Sequence, residues 1–310
     1  MMNAKLLEEI ERFGKTPKAR DLTEKTFDKE GYELAITRAT ADLTARTLSP
    51  RENVAGKLIN VLLKWDPSLK IKDYKGEESF IDRIEKYFAD PARSREAFDK
   101  WHRETCSDIL LPAIRHFYTN RDTERSDVCY GKAQKILNMT LKSCYCLDGA
   151  RGKEEHFEHC HVALDSFTLA WYRHHKKENT SEWSNLGFDE YISIQESIRG
   201  FERDIDLFDG LTPLQKEFFV WRLEIMKMTV DEICKCFGGI IEEDYAEEYL
   251  RKHGMENQLK MAKMILHLDG YETLADEGFI EWLEKIPESR KIKPAAEFLL
   301  DEIGIEKAVK

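Results

Sequence analysis

The chain has 310 residues, of which 42% are hydrophobic and 35% are charged, and its formal net charge at pH 7 is −11. This apolar content is too high for a disordered chain, and 16 Gly and 8 Pro are too few for a collagen-like or low-complexity one. No stretch approaches the roughly 18 consecutive apolar residues of a membrane span, and the acidic start does not resemble a signal peptide. We therefore expect a soluble protein of about two domains' length, without a membrane partner.

Cysteine usage indicates a reducing compartment. The chain has seven cysteines, an odd number, and their spacing is irregular. Disulfide-stapled secreted domains are usually shorter and denser in cysteine. We therefore expect a cytoplasmic protein.

Signals for helix starts recur along the chain, whereas the alternation of a half-buried strand is nearly absent. Each of Pro50, Pro91 and Pro213 follows a Ser, Asp or Thr that can cap a helix, and each precedes apolar residues at helical spacing. The sequence predicts an all-α, multi-helix globular fold.

The charge is distributed unevenly. Residues 113–177 carry a net charge of +3, whereas residues 178–310 carry −14. The helical periodicity is interrupted at 204–211. We predict a helical core at 1–205 and an acidic C-terminal helical region at 206–310, and the basic stretch favours an anion site within the core.

Residues 129–177 carry the chemistry-bearing pattern. Lys135, Asn138 and Lys142 are spaced to lie together on a polar helix face. This face adjoins an inward stripe of Ala133, Ile136, Leu137, Thr140, Leu141 and Cys144. Gly131 suits a tight backbone turn into this helix, and Asp165 stands where an N-cap is expected before an apolar run.

This segment resembles the helix-hairpin-helix superfamily of DNA glycosylases, most closely the archaeal 8-oxoguanine glycosylase branch. In that family a hairpin Gly leads into a helix with a nucleophilic Lys, a second Lys follows seven residues later, and an Asp begins another helix about thirty residues on. The matching positions are Gly131, Lys135, Lys142 and Asp165. The chain differs from the family in a hairpin poorer in glycine, and in having Ala163 where the family has Pro.

The resemblance implies a helix-hairpin-helix core with a helical accessory region and a role in DNA repair, as a base-excision glycosylase and abasic-site lyase. Lys135 would attack the sugar C1′ and Asp165 would stabilise the cationic sugar. Lys132 and Lys142 would support the reaction or serve as alternative nucleophiles. The partner would be duplex DNA with a modified purine such as 8-oxoguanine, and no cofactor or metal is expected.

The expected substrate contacts come from the same segment. Gly131 and Asn138 would line the site, and Trp171, Tyr172 or Trp101 would stack on an extruded base.

Each of these residues also has an ordinary structural interpretation. The lysines could be solvated helix residues, Asp165 a plain N-cap, and Trp171 and Tyr172 core residues. The alternative hypothesis is accordingly a non-enzymatic helical binding protein, with residues 178–310 as an acidic surface for a protein partner.

Two further patterns indicate other functions, and each has a feature that opposes the function. Cys144 and Cys146 in one helix would point about 200° apart, which opposes joint zinc ligation with the histidines at 156–161. Residues 211–237 resemble a helix-turn-helix of the sigma-factor type, but the second helix begins with acids unsuited to phosphates. No P-loop, dinucleotide-binding, nucleophile-elbow or zincin motif occurs.

Overall fold

The computed structural model describes residues 4–15, 19, 21–44, 54–75, 77–118, 130–176, 178–200 and 210–220. All of them belong to one compact unit, Met1–Val220. The division predicted at 205/206 lies among residues 201–209, outside this description, and stays a prediction, as does the acidic character of the region that follows.

Helices account for most of the described residues. The helices are α1 (Ala4–Lys15), α2 (Lys29–Thr44), α3 (Val54–Leu63), α4 (Phe80–Ala89), α5 (Arg95–Glu104), α6 (Leu111–Tyr118), α7 (Tyr130–Tyr145), α8 (Ser166–Lys176) and α9 (Phe188–Arg199). Residues 213–220 form a further helix, α10. Within the described ranges there is no strand, only one isolated bridge between Thr26 and Asp148. The predicted all-α, multi-helix fold is confirmed.

Helix α7 is the central element. Nearly every residue from Tyr130 to Tyr145 is buried, and α2 packs along it most extensively. The predicted inward stripe is therefore buried, but so is the face that bears Lys135, Asn138 and Lys142. The alternative interpretation of Lys135 and Lys142 as solvated helix residues is wrong, because neighbouring elements cover α7 on all sides.

The segment from α5 to α6 is nearly continuous through a π-helical stretch, Thr105–Leu110. Pro112 lacks the N–H that would bind the Asp108 carbonyl one turn earlier. The backbone N–H of Lys75 binds this carbonyl instead, at 3.1 Å. An external donor therefore allows a proline within this helical segment.

Helix starts follow the predicted caps in part. Thr212 caps α10 by accepting a bond from the Gln215 N–H at 3.3 Å, as expected. Asp90 does not begin a helix: it ends α4, and Ser94 caps α5 by accepting from Ala97. The start predicted at Pro50 lies outside the described residues.

None of the described helices is long and apolar enough to cross a membrane.

Candidate functional site

Lys135 lies on α7 at the edge of the buried core. Only 8% of the Lys135 residue surface is exposed. Its ammonium nitrogen lies 4.9 Å from the centre of the Trp183 ring. Trp183 is half-buried, in a short 3-10 turn between α8 and α9. An ammonium over an aromatic face is held by the ring quadrupole, so the indole orients the Lys135 side chain.

Gly131 is required by a close backbone approach and not by a turn. It lies inside the first turn of α7, and a Cβ placed on it would come within 1.8 Å of the Trp183 carbonyl oxygen. Its N–H also donates to the Leu186 carbonyl at 3.0 Å. The predicted turn into the helix is thus corrected: the missing side chain lets the Trp183 segment pack on α7 beside Lys135.

Asp165 is the N-cap of α8, as its position in the sequence predicts. Its Oδ1 accepts a hydrogen bond from the Thr168 N–H at 3.1 Å, and the Thr168 hydroxyl accepts one from the Asp165 N–H at 2.8 Å. This reciprocal arrangement satisfies two otherwise unpaired donors. With 6% of the residue exposed, Asp165 is held rigidly near the surface of the core.

The extended residues before Asp165 are held by side-chain amides from two helices, α7 and α9. Gln195 of α9 binds both the N–H and the carbonyl of Val162, at 3.1 and 2.8 Å. Gln134 of α7 binds both backbone groups of Leu164, at 3.1 and 2.7 Å. Side-chain amides therefore replace the sheet partner that such a segment would otherwise need.

The Gln134 contact brings the two predicted catalytic positions into adjacent segments. Gln134 directly precedes Lys135, and Leu164 directly precedes Asp165. Two hydrogen bonds between Gln134 and Leu164 fix the register of one segment against the other. The site is thus a junction of α7 with the start of α8.

Lys142 is not a solvated helix lysine. Its ammonium pairs with Glu217 of α10 at 3.0 Å, and both side chains are almost fully buried. The rings of Phe13 and Phe218 lie 4.5 and 4.8 Å from the ammonium. Burial raises the pKa of Glu217, against the pull of Lys142, and the Asp165 carboxylate raises it further.

Asn138 is the centre of a buried network. Its side-chain amide donates to Gln134, Val162 and the Tyr191 hydroxyl, and its oxygen lies 2.9 Å from His102 Nε2. Asn138 is fully buried. The structure therefore assigns it a part in packing α7 against α9 and gives it no exposed face for a substrate.

The same network continues through two buried histidines. His161 Nε2 lies 2.7 Å from Asp99 and its Nδ1 lies 2.7 Å from the Tyr191 hydroxyl, while His102 Nδ1 lies 2.8 Å from the Tyr130 hydroxyl. The Asp99 carboxylate can only accept a hydrogen bond, so His161 must donate from Nε2. His161 is therefore the Nε2–H tautomer.

Burial controls the titration of this network. It lowers the pKa of His161 to about 4, although Asp99 opposes the shift, and it lowers that of His102 well below its ordinary value. Burial would raise the pKa of Asp99, but hydrogen bonds from His161 and Arg199 outweigh it and bring the value to about 2. Both imidazoles are therefore neutral at pH 7.

The predicted base-stacking residues do not share one surface. Trp171 and Tyr172 are buried, and the Tyr172 hydroxyl donates to Glu178 at 3.0 Å. Trp101 is half-buried and stacks on Tyr87. Lys132 is half-buried on α7, three residues before Lys135. The structure gives Trp171 and Tyr172 the role of core residues, and the half-buried aromatic ring beside Lys135 is instead Trp183.

The cysteines and histidines at 144–161 do not form a metal centre. In the described part of the chain no group of three His, Cys, Asp or Glu side chains is arranged to hold an ion. Cys144, Cys146 and Cys160 are buried thiols, and burial raises the pKa of the latter two to about 12. These cysteines behave as small core residues.

Sequence reasoning missed four residues of this site: Gln134, Trp183, Gln195 and Glu217. Each is a polar or aromatic side chain in a helical segment, and nothing in its local pattern distinguishes it from a surface residue. Glu217 falls in the segment compared with a helix-turn-helix, whose second helix lies outside the described residues.

Comparison with family models, curated proteins and solved structures finds no match to the chain.

Proposed function

We propose that the chain is a DNA glycosylase and abasic-site lyase, with Lys135 as the nucleophile and Asp165 as the carboxylate that stabilises the sugar cation. The substrate class is a modified purine such as 8-oxoguanine in duplex DNA. The neutral amine would attack C1′ as the bond to the base breaks, and the proton that this amine loses would pass to the departing base. Breaking of the C1′–O4′ bond, with a solvent proton going to O4′, would then leave an iminium between lysine and sugar.

One observation carries the proposal: the paired hydrogen bonds between Gln134 and Leu164. They fix the residue before Lys135 to the residue before Asp165. An amine and a carboxylate in adjacent, rigid segments are what a preorganised site of this class requires. The residues come from positions 30 apart in the chain, at the spacing for which the resemblance was proposed.

The environment of the lysines favours Lys135 over Lys142. Lys142 is paired with Glu217 in the interior, so its ammonium is not available to a DNA sugar. Lys135 lies at the margin of the core, beside a half-buried ring. The expected base contact consequently moves from Trp171 and Tyr172 to Trp183, because aromatic faces bind extruded or single-stranded bases by stacking.

The experiment is borohydride trapping on duplex DNA with an abasic site, because borohydride reduces the lysine iminium to a stable amine. The wild-type chain should form the adduct and Lys135→Ala should abolish it. Lys132→Ala, three residues away on the same helix, tests the alternative nucleophile and should still form the adduct. An adduct that persists in Lys135→Ala contradicts the assignment, and no adduct in the wild-type chain favours the non-enzymatic alternative.

A further inference from the structure

The Glu217 carboxylate joins three parts of the fold. Its Oε1 binds the Lys142 ammonium of α7 at 3.0 Å, and its Oε2 accepts the Ala163 N–H at 2.7 Å. Ala163 lies two residues before Asp165, in the extended segment that Gln134 and Gln195 also hold. Helix α10 is thereby connected directly to the segment that carries Asp165.

Burial of this carboxylate requires a reason. Removing two charges from water is costly, and their attraction often only offsets that cost. Replacement of such a pair by apolar residues of similar volume is often neutral or stabilising. The ion pair has a role if its hydrogen bonds fix the position of the Ala163 backbone, which an apolar pair could not do.

We propose that Lys142 and Glu217 form a positioning pair that fixes the Ala163 backbone and thereby aims the Asp165 carboxylate at the site beside Lys135. This inference rests on the proposed function. Lys142 orients the Glu217 carboxyl group, and Glu217 holds the Ala163 N–H. Neither residue touches the substrate.

The segment would survive the loss of this contact in a loosened form. Thr168 holds the Ala163 carbonyl at 2.8 Å, and Gln134 holds both backbone groups of Leu164. Removal of the Glu217 acceptor should therefore increase the local motion of Ala163 and Asp165 without unfolding the helices. A positioning role predicts lost chemistry with retained DNA binding.

Two neutral double variants separate the acceptor from the charge. In Lys142→Gln/Glu217→Gln, an amide oxygen still accepts the Ala163 N–H and the two amides bond to each other. In Lys142→Met/Glu217→Met, the volume is similar but no acceptor remains. Glu78→Gln is the control for loss of an ion pair elsewhere, because Glu78 pairs with Arg83 at 2.6 Å in the segment before α4.

The readouts are amide hydrogen exchange at Ala163 and the single-turnover rate of base excision from duplex DNA containing 8-oxoguanine. The Met pair should exchange Ala163 about tenfold faster than the Gln pair and excise about tenfold more slowly, with equal DNA affinity, as loss of one buried hydrogen bond predicts. Glu78→Gln should match the wild type in both. Equal exchange and equal excision in the two pairs would overturn the proposal.

The two hypotheses fail in different ways. If the wild-type chain neither excises a base nor forms the borohydride adduct, the proposed function fails, while Ala163 exchange still tests whether Glu217 fixes the segment. If both double variants fail to fold, the test is the through-hydrogen-bond NMR coupling between the Ala163 nitrogen and the Glu217 carboxyl carbon in the wild-type chain. Its presence supports the positioning contact and its absence overturns it.

Discussion

The Asp165 carboxylate has a task that does not depend on any chemistry, since it caps α8 through Thr168. Its proposed electrostatic task uses the same side chain. The cap holds the carboxylate in one orientation, and the hydrogen bonds to Val162, Ala163 and Leu164 hold the backbone that precedes it. A substitution that preserves the cap can therefore separate the two tasks.

Asp165→Asn should abolish base excision and leave the melting temperature within about five degrees, because Asn is as good an N-cap as Asp. Asp165→Ala should also abolish excision, but it should cost about 1 kcal/mol of stability through loss of the cap. Thermal unfolding and single-turnover excision measure the two effects. Undiminished excision by the Asn variant would remove Asp165 from the mechanism.

The close approach at Gly131 makes a second prediction at this scale. Gly131→Ala should destabilise the protein by about 1–3 kcal/mol, because the new methyl group would displace the Trp183 backbone. It should also slow borohydride trapping, since Trp183 orients Lys135. Gly200→Ala is the matched control, because a Cβ there meets nothing within 4 Å and the backbone φ is −75°. Similar stability losses in urea unfolding of both variants would contradict this packing.

Among the secondary-structure elements, the junction of α5, α7 and α9 is held by the His102–Asn138–Tyr191–His161 network, which gives it a pH dependence. Both histidines are neutral when folded and have lowered pKa values, so the unfolded chain binds protons more readily. Their stabilisation is complete above pH 6.5 and declines as the pH falls toward 4. Glu217, whose pKa is raised, acts in the opposite direction, because its protonation favours the folded chain as the pH falls toward 4.5.

For His161 alone, the change from the ordinary 6.5 to about 4 is worth about 3 kcal/mol across that range. The free energy of unfolding from urea titrations should therefore fall steeply between pH 7 and pH 5. In His161→Gln this slope should be about half as steep, because only His102 remains to titrate within the network. A variant with the wild-type slope would show that His161 is not buried as a neutral imidazole.

Local signals could be predicted from the sequence, and long-range polar pairing could not. The Asp165 and Thr212 caps depend on neighbours within three residues, so the pattern found them. The burial of Lys142 and Asn138 was not predicted, because a polar residue in a helix has the same pattern whether water or a buried partner faces it. The partner of Lys142 is 75 residues away, and only tertiary packing selects it.

The start predicted at Asp90 was wrong for a related reason. Two capping residues, Asp90 and Ser94, stand close together, and both satisfy the local pattern. The chain uses Asp90 to close α4 and Ser94 to begin α5. The choice depends on where each helix packs, so a local rule could not make it.

For the whole molecule, the proposed function must overcome a net charge of −11, and residues 178–310 alone carry −14. DNA binding would then depend on local phosphate contacts by the basic part of the chain. The binding constant should fall steeply with salt, with a logarithmic slope of about −0.9 for each phosphate neutralised. Fluorescence anisotropy between low and physiological salt measures it, and a flat response would count against nucleic acid as the partner.

The central claim is that one amine, that of Lys135, forms the covalent bond to the DNA sugar. The most direct measurement is mass-spectrometric mapping of the peptide that carries the reduced sugar after borohydride trapping of the wild-type chain. The account predicts that the modification lies on Lys135 alone. Modification of Lys132, of Lys142 or of a lysine outside α7 would contradict it.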